Sequence, residues 1–253
     1  MTKYSQQEHQ NMNLVADFMQ SIRIVPASES AIILYIDQPL TDTLAEQLQS
    51  IADGVLSLAN TSEIEIVSSY ASLLINYNPL KTDHFAIKQM LFQAIKLMFS
   101  DNSHTDYSQQ TDQELVELPV YYSDTTGPDL ARIATHHKLS VEEVIQIHQQ
   151  QTYRVFAIGF APGFGYMGQV DPQIAMPRLA TPRALVPKGA VAIADRQTAV
   201  YPAASPGGWN IIGQCPILMF NPNVEPSMPF KVGDSVRFKA IDQDTFFAMG
   251  GEQ

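Results

Sequence analysis

The sequence predicts an α+β protein in two parts: helices on a small sheet come first, and a turn-rich β-structure follows. Three observations predict it. The chain has 253 residues, above the roughly 150 of an ordinary domain, so one large or two ordinary domains are expected. Its punctuation is uneven, for only Gly54 and Gly127 precede Tyr153, whereas Tyr153 to Gly213 holds eight of the thirteen glycines. Between the two regimes lies SDNSHTDYSQQTDQELVE, residues 100–117. It is polar and lacks an apolar period, and it reads as a linker.

Residues 1–20 begin polar and then carry Leu14, Val15 and Phe18, which suits a flexible or weakly helical N-terminus. Ile22 to Val25 and Ala31 to Ile36 are β-branched and apolar, and the turn-prone Ala27 to Ser30 separates them, so both are predicted strands. Thr43 and Glu46 have capping-box spacing, and Leu44, Leu48, Ile51 and Val55 recur at helical intervals. Ile64 to Ser68 and Leu73 to Tyr77 are two further strands. Ile87, Met90, Leu91, Ala94, Ile95 and Met98 form a second helical stripe. Two strands, a helix, two strands and a helix over residues 21–99 make a ferredoxin-like α/β sandwich.

The second domain is predicted over residues 118–253. Leu118 to Tyr121 reads as a strand, and two short helices follow. Ser140 and Glu143 form a capping box for the second of these, whose apolar face is Val141, Val144, Ile145 and His148. From Tyr153 onward, turns divide short strands in the manner of a closed or folded-over β-structure. Ile217 to Phe220 and Ser235 to Phe238 are its last predicted strands.

Composition narrows the function classes. Fifteen basic against 26 acidic side chains give a net charge of −11, which repels phosphate backbones and anionic bilayers and argues against a nucleic-acid or membrane-surface binder. One cysteine, Cys215, allows neither an intrachain disulfide nor a cysteine zinc cluster, in keeping with a reducing cytoplasm. The N-terminal residues lack a signal-peptide apolar region, and no apolar run approaches a membrane span. His136 and His137 are adjacent, so on a helix they diverge, and no metal-ligand spacing occurs elsewhere.

Against the acidic whole, Tyr153 to Gly213 carries Arg154, Arg178, Arg183, Lys188 and Arg196 against only Asp171 and Asp195. Pro177, Pro182 and Pro187 directly precede Arg178, Arg183 and Lys188, so these cations leave from stiff backbone. A rigid arginine pair suits a carboxylate or a phosphate; ordinary surface charge balancing is the other reading. GFGYMG, residues 163–168, matches G-x-G-x-x-G, but Gln169 to Pro172 cannot open the helix that a dinucleotide site requires. Its glycines are read instead as a backbone turn that displays Phe160, Phe164 or Tyr166 over a cleft, with core packing the alternative for each ring. Gly207 and Gly208 precede Trp209, the chain's one tryptophan; the pair allows close approach or positive φ, and the indole offers a flat wall. No histidine follows His148 and no serine stands in G-x-S-x-G, so a serine-hydrolase triad has little support. His148 reads first as a core histidine, and Cys215 as a small buried hydrophobe.

The runs GFAPGFGYMG (159–168), PRLATPRALVPKGAVAIADRQTAVYP (177–202) and SPGGWNIIGQCP (205–216) resemble the KipI-like family, also called the allophanate hydrolase subunit 1 family. GPDL (127–130), the Ile147–His148 pair followed by Tyr153, and KVGDSVRF (231–238) extend the likeness. Ser28 and Glu29 stand where the family usually has Gly-Asp. The resemblance implies a ferredoxin-like domain followed by a cyclophilin-like β-barrel domain. It implies the B subunit of a 5-oxoprolinase, in which ATP drives the opening of 5-oxoproline to glutamate. The implied partners are a KipA-like protein, also called allophanate hydrolase subunit 2-like, and a LamB/YcsF-like protein. A protein inhibitor of a sensor histidine kinase and an allophanate or urea-amidolyase-type component are the alternatives in the same family. The candidate substrate or nucleotide contacts are Arg178, Arg183, Lys188, Tyr166, Gly207, Gly208, Trp209 and His148. No residue is assigned a chemical step, and no bound metal is expected.

Overall fold

A computed structural model describes residues 15–59, 63–100 and 115–252. The chain divides into two compact units, residues 1–112 and 113–253. Most of the expected N-terminal segment and of the linker, residues 1–14 and 101–114, lies outside the described residues.

In the first unit, residues 15–21 are helical (α1). Four strands follow, β1 (Ile22–Ser28), β2 (Ala31–Ile36), β3 (Ile64–Ser69) and β4 (Ser72–Tyr77), with α2 (Asp42–Ala59) between the hairpins and α3 (His84–Ser100) after them. The sheet is antiparallel in the order β1-β2-β4-β3. That order is a ferredoxin-like sheet whose last strand has moved to the front. Period-2 alternation puts Ile32, Leu34, Ile36, Leu73 and Ile75 on one face, and Leu44, Leu48, Ile51, Val55, Ile87, Leu91 and Ile95 of the helices cover it. The helix cap differs from expectation: Thr41 Oγ1, rather than Thr43, accepts the Leu44 N–H at 3.1 Å. The helix starts at Asp42, which places Thr43 inside its first turn.

The second unit is a seven-stranded sheet in the order β12-β9-β10-β7-β6-β13-β5. Its strands are β5 (Leu115–Val120), β6 (Tyr153–Ile158), β7 (Gly165–Gly168), β9 (Ala190–Ala194), β10 (Gln197–Val200), β12 (Asn210–Gln214) and β13 (Ser235–Ala240). The two edge strands meet where Tyr121 and Gln214 exchange backbone hydrogen bonds of 2.9 and 3.0 Å, which nearly closes the sheet into a barrel. Helices α4 (Leu130–His137) and α5 (Val141–Gln150) precede β6, and α6 (Gln243–Ala248) follows β13. Ser140 and Glu143 form the expected capping box on α5. A separate ribbon pairs β8 (Arg183–Val186) with β11 (Ser205–Gly207).

Two boundaries shift. Residues 115–117, read as linker, belong to β5, where a parallel register with β13 supplies the hydrogen bonds that a local pattern cannot reveal. Ile217 to Phe220 is not a strand. Pro216 and Pro222 bracket it, and among the described residues it has no ladder partner, so apolar content alone did not make it extended structure. No described helix is long and apolar enough to cross a membrane.

Candidate functional site

β9 is AVAIA and is buried on both faces. Val191 and Ile193 point into the barrel core, while Ala190, Ala192 and Ala194, joined by Ala199 of β10, form the opposite face. Methyl groups make that face a shallow floor. The space above it takes large rings: Phe164, Tyr166, Tyr201 and Trp209 pack there with Val186 and Ile211. Phe164 meets Tyr166, Tyr201 and Trp209 edge-on at centroid distances of 4.8, 5.3 and 5.6 Å, the geometry that aromatic quadrupoles favour.

Arg178 lies over this cluster, its guanidinium carbon 5.7 Å from the Trp209 ring centroid. The contact steadies an otherwise exposed side chain. The backbone beneath it is held from three directions. Met176 C=O accepts from Asp195 N–H at 2.7 Å, the buried Asn210 amide donates to Pro177 C=O at 3.0 Å, and Leu179 N–H donates to Gly208 C=O at 2.7 Å. Among the described residues no carboxylate lies within ion-pair distance of Arg178.

Arg183 differs. Its Nη2 is 2.9 Å from Asp129 Oδ1, and its Nη1 donates to the Trp209 carbonyl at 3.4 Å. Asp129 is 5% exposed, and its second oxygen accepts the Ile211 N–H at 2.7 Å. An aspartate at the start of α4 would ordinarily cap that helix, yet this side chain makes no cap hydrogen bond. It ties β8, β12 and the first turn of α4 together instead.

The structure therefore brings Arg178, Arg183, Tyr166, Gly207, Gly208 and Trp209 to one face of the barrel sheet. Of the other two candidates, one makes no side-chain contact with this group among the described residues and the other is set apart from it. Lys188 is exposed on the β8–β9 turn, where its carbonyl accepts from Gln214. His148 is fully buried on the barrel side, with Nδ1 at 2.8 Å from the Tyr122 hydroxyl, Nε2 at 3.0 Å from Thr198 Oγ1 and its ring stacked on Phe238. Burial pushes its pKa down to about 3.

Two other expectations change. Trp209 is 4% exposed, so the indole is a plate supporting Arg178 rather than an open wall. Neither Gly207 nor Gly208 has positive φ. Gly207 is required by close approach, because a Cβ there would collide with the Tyr201 hydroxyl. Burial raises the Tyr201 pKa, while the positive charges of Arg178 and Arg183 and a bond to the Trp209 backbone oppose that shift. Of the rings expected over a cleft, Phe164 is core, Tyr166 is half-buried and Phe160 is exposed. Cys215 is a free, buried thiol whose pKa burial pushes up to about 12.

Sequence reasoning passed over Asp129, Phe164 and Tyr201 as a unit. Asp129 stands just before α4, where an aspartate ordinarily caps, so nothing in its local sequence signals the tie to Arg183 and Ile211. Among the described residues no group of three or more His, Cys, Asp or Glu side chains could hold a metal ion.

Comparison with known proteins gives these residues a context. Residues 22–230 match the family described as carboxyltransferase domain, subdomain C and D. The chain is 33% identical over 221 residues to the B subunit of 5-oxoprolinase from Escherichia coli O157:H7, covering 87% of this chain and 96% of that one. It is 36% identical over 195 residues to the protein of the same name in Bacillus subtilis (strain 168), covering 73% and 78%. The crystal structure of TTHA0988 superposes with a TM-score of 0.71 at 30% identity over 85% of this chain, which spans only 40% of that longer one. Urea carboxylase of Kluyveromyces lactis shares the fold, with a TM-score of 0.69 at 15% identity over 90% of this chain and 22% of that one.

Proposed function

We infer, because the chain belongs to the carboxyltransferase domain, subdomain C and D, family, that it is the B subunit of an ATP-dependent 5-oxoprolinase and helps open 5-oxo-L-proline to L-glutamate. One observation carries the reading: its identity to proteins named as the 5-oxoprolinase B subunit extends over 96% of one of them.

The chemistry of the aromatic face supports it. The substrate is a flat five-membered lactam with one carboxylate. Arg178 offers one unpaired guanidinium for that carboxylate, held by the indole beneath it, and the half-buried Tyr166 lies beside it as a ring surface. Arg183 is engaged by Asp129 and serves to hold the Trp209 strand in place.

A lactam without ring strain resists hydrolysis. ATP, the second substrate, supplies the driving force, most simply by phosphorylating the lactam oxygen with release of ADP; water then adds to the activated carbon, the C–N bond breaks as the nitrogen takes a proton, and a second water hydrolyses the resulting acyl phosphate to glutamate and phosphate. One unpaired guanidinium matches one carboxylate and falls short of a triphosphate, so this reading assigns ATP to the companion side of a composite site. Among the described residues the aromatic cluster holds no histidine, and Asp129 beside it is engaged by Arg183 and the Ile211 N–H, so in this reading the chain contributes binding and works with companion proteins.

The test is reconstitution with the proteins encoded beside it, followed by glutamate release from 5-oxoproline and ATP. Glutamate formed by the assembly, and not by this chain alone, is the expected result. A fully assembled complex that forms no glutamate would overturn the assignment.

A further inference from the structure

One oxygen of Asp129 serves two arginines. Arg183 Nη2 reaches Oδ1 at 2.9 Å, and Arg132 Nε, from the first turn of α4, stands 3.7 Å from the same atom. The second oxygen is taken by the Ile211 N–H at 2.7 Å. A single carboxylate with both oxygens engaged therefore faces two guanidiniums and neutralises one charge. The surplus falls on Arg132, because the shorter and better enclosed contact belongs to Arg183: their side chains are 41% and 29% exposed. Among the described residues Arg132 has no other ion pair, and neither of its Nη atoms donates a hydrogen bond.

Trp209 joins this pair to Arg178. Its carbonyl accepts from Arg183 Nη1 at 3.4 Å, and its ring centroid lies 5.7 Å from the Arg178 guanidinium carbon. Burial raises the Tyr201 pKa while the charges of Arg178 and Arg183 both oppose that shift, so both cations are within electrostatic reach of one hydroxyl. Arg132, Arg178 and Arg183 thus form one array, three positive charges against the negative charge of Asp129, in a chain whose net charge is −11. Like charges so placed repel one another unless an anion comes between them. The substrate carboxylate assigned to Arg178 cancels one surplus charge. Another remains at the Arg132 end.

We propose that Arg132 binds the phosphoryl group of the activated substrate while Arg178 binds its carboxylate, so that the chain grips the acyl phosphate at both ends. A guanidinium fork fits phosphoryl oxygens as well as it fits a carboxylate, and Arg132 approaches Asp129 through Nε, which leaves its two Nη groups for the ligand. The phosphoryl group arrives when the lactam oxygen takes it from ATP and ADP leaves. It departs as inorganic phosphate when water hydrolyses the acyl phosphate, and Arg132 forms no covalent bond in either step. The proposal rests on the 5-oxoprolinase reading and names the residue that meets the transferred group, with ATP itself on the companion side.

Trp209, the chain's one tryptophan, touches both ends of the array, so its fluorescence reports occupancy. The full chain is titrated with 5-phosphonopentanoate, which carries a carboxylate and a phosphonate at opposite ends, and with pentanoate, inorganic phosphate and ATP. The two-ended anion should bind about 10-fold or more tightly than either one-ended anion. Arg132→Gln should weaken 5-phosphonopentanoate and phosphate about 10-fold, leave pentanoate unchanged and keep the melting temperature, since its contact with Asp129 is long and exposed. Lys96→Gln, at an exposed position of α3, should bind like wild type. In the reconstituted complex Arg132→Gln should lower kcat about 10-fold at a near wild-type KM for 5-oxoproline, the reverse of Arg178→Ala. Unchanged phosphonate affinity in Arg132→Gln, an equal loss in Lys96→Gln, or ATP binding to the chain alone as tightly as 5-phosphonopentanoate overturns the proposal. Phosphonate binding that depends on Arg132, in a complex that releases no glutamate, keeps the anion site and removes the 5-oxoprolinase reading, so the two fail separately.

Discussion

Asp129 and Arg183, fifty-four residues apart in the chain, meet at 2.9 Å, and the same carboxylate holds the Ile211 N–H at 2.7 Å. The pair joins the start of α4 to the β8–β11 ribbon and to β12, beside the chain's one tryptophan. Asp129→Ala leaves a partly buried guanidinium and a buried N–H without that partner. Because the Arg183 side chain is 29% exposed, the loss is expected at about 2 kcal/mol, below the range for a fully buried pair. Urea unfolding followed by Trp209 fluorescence measures it, and an unchanged midpoint would refute the anchoring role.

Arg178→Ala is expected to act on binding instead. Its side chain is exposed and among the described residues it has no ion pair, so stability should change by less than about 0.5 kcal/mol. In the reconstituted complex the KM for 5-oxoproline should rise about 10- to 100-fold, the value of one charge-assisted hydrogen bond. Arg178→Lys should recover part of the loss, since it keeps the charge without the fork. A wild-type KM in Arg178→Ala would remove the carboxylate assignment.

Stability should depend on pH through His148. Its pKa is lowered from 6.5 to about 3 by burial, so between those values the unfolded chain takes up a proton that the folded chain refuses. The contribution is complete above about pH 6.5 and declines as pH falls toward 3, at about 1.4 kcal/mol per pH unit. Unfolding free energies of wild type and His148→Gln from pH 4 to 7 check this: the variant should be less stable at pH 7, with a slope shallower by about one proton. Parallel profiles would contradict it.

Gly207→Ala sets a methyl group against the Tyr201 hydroxyl. Overpacking of this kind destabilises by about 1–3 kcal/mol. Tyr201→Phe removes the nearest clashing atom, so the double variant should recover part of that loss. A double-mutant cycle with no coupling would show that the two do not meet.

Much of the framework was legible because it is written locally. Leu44, Leu48, Ile51 and Val55 mark α2, and Ser140 and Glu143 cap α5. Apart from the α2 cap, which falls on Thr41 rather than Thr43, the errors came where partners are distant. Residues 115–117 joined a strand because β13 lies alongside them, and Ile217 to Phe220 failed to become one because among the described residues nothing pairs with it.

The same division separates the candidate residues. From the sequence alone came the local surplus of cations, the proline before each of three of them, and the glycines around Trp209, all properties of neighbours along the chain. Which cation stays unpaired was decided only by the tertiary structure. Asp129 reaches Arg183, and Tyr122 and Thr198, 26 and 50 residues away, enclose His148. Strand register and burial choose those partners, and neither is a function of spacing along the backbone, so of two chemically equal arginines one becomes an anchor and the other keeps an unpaired guanidinium.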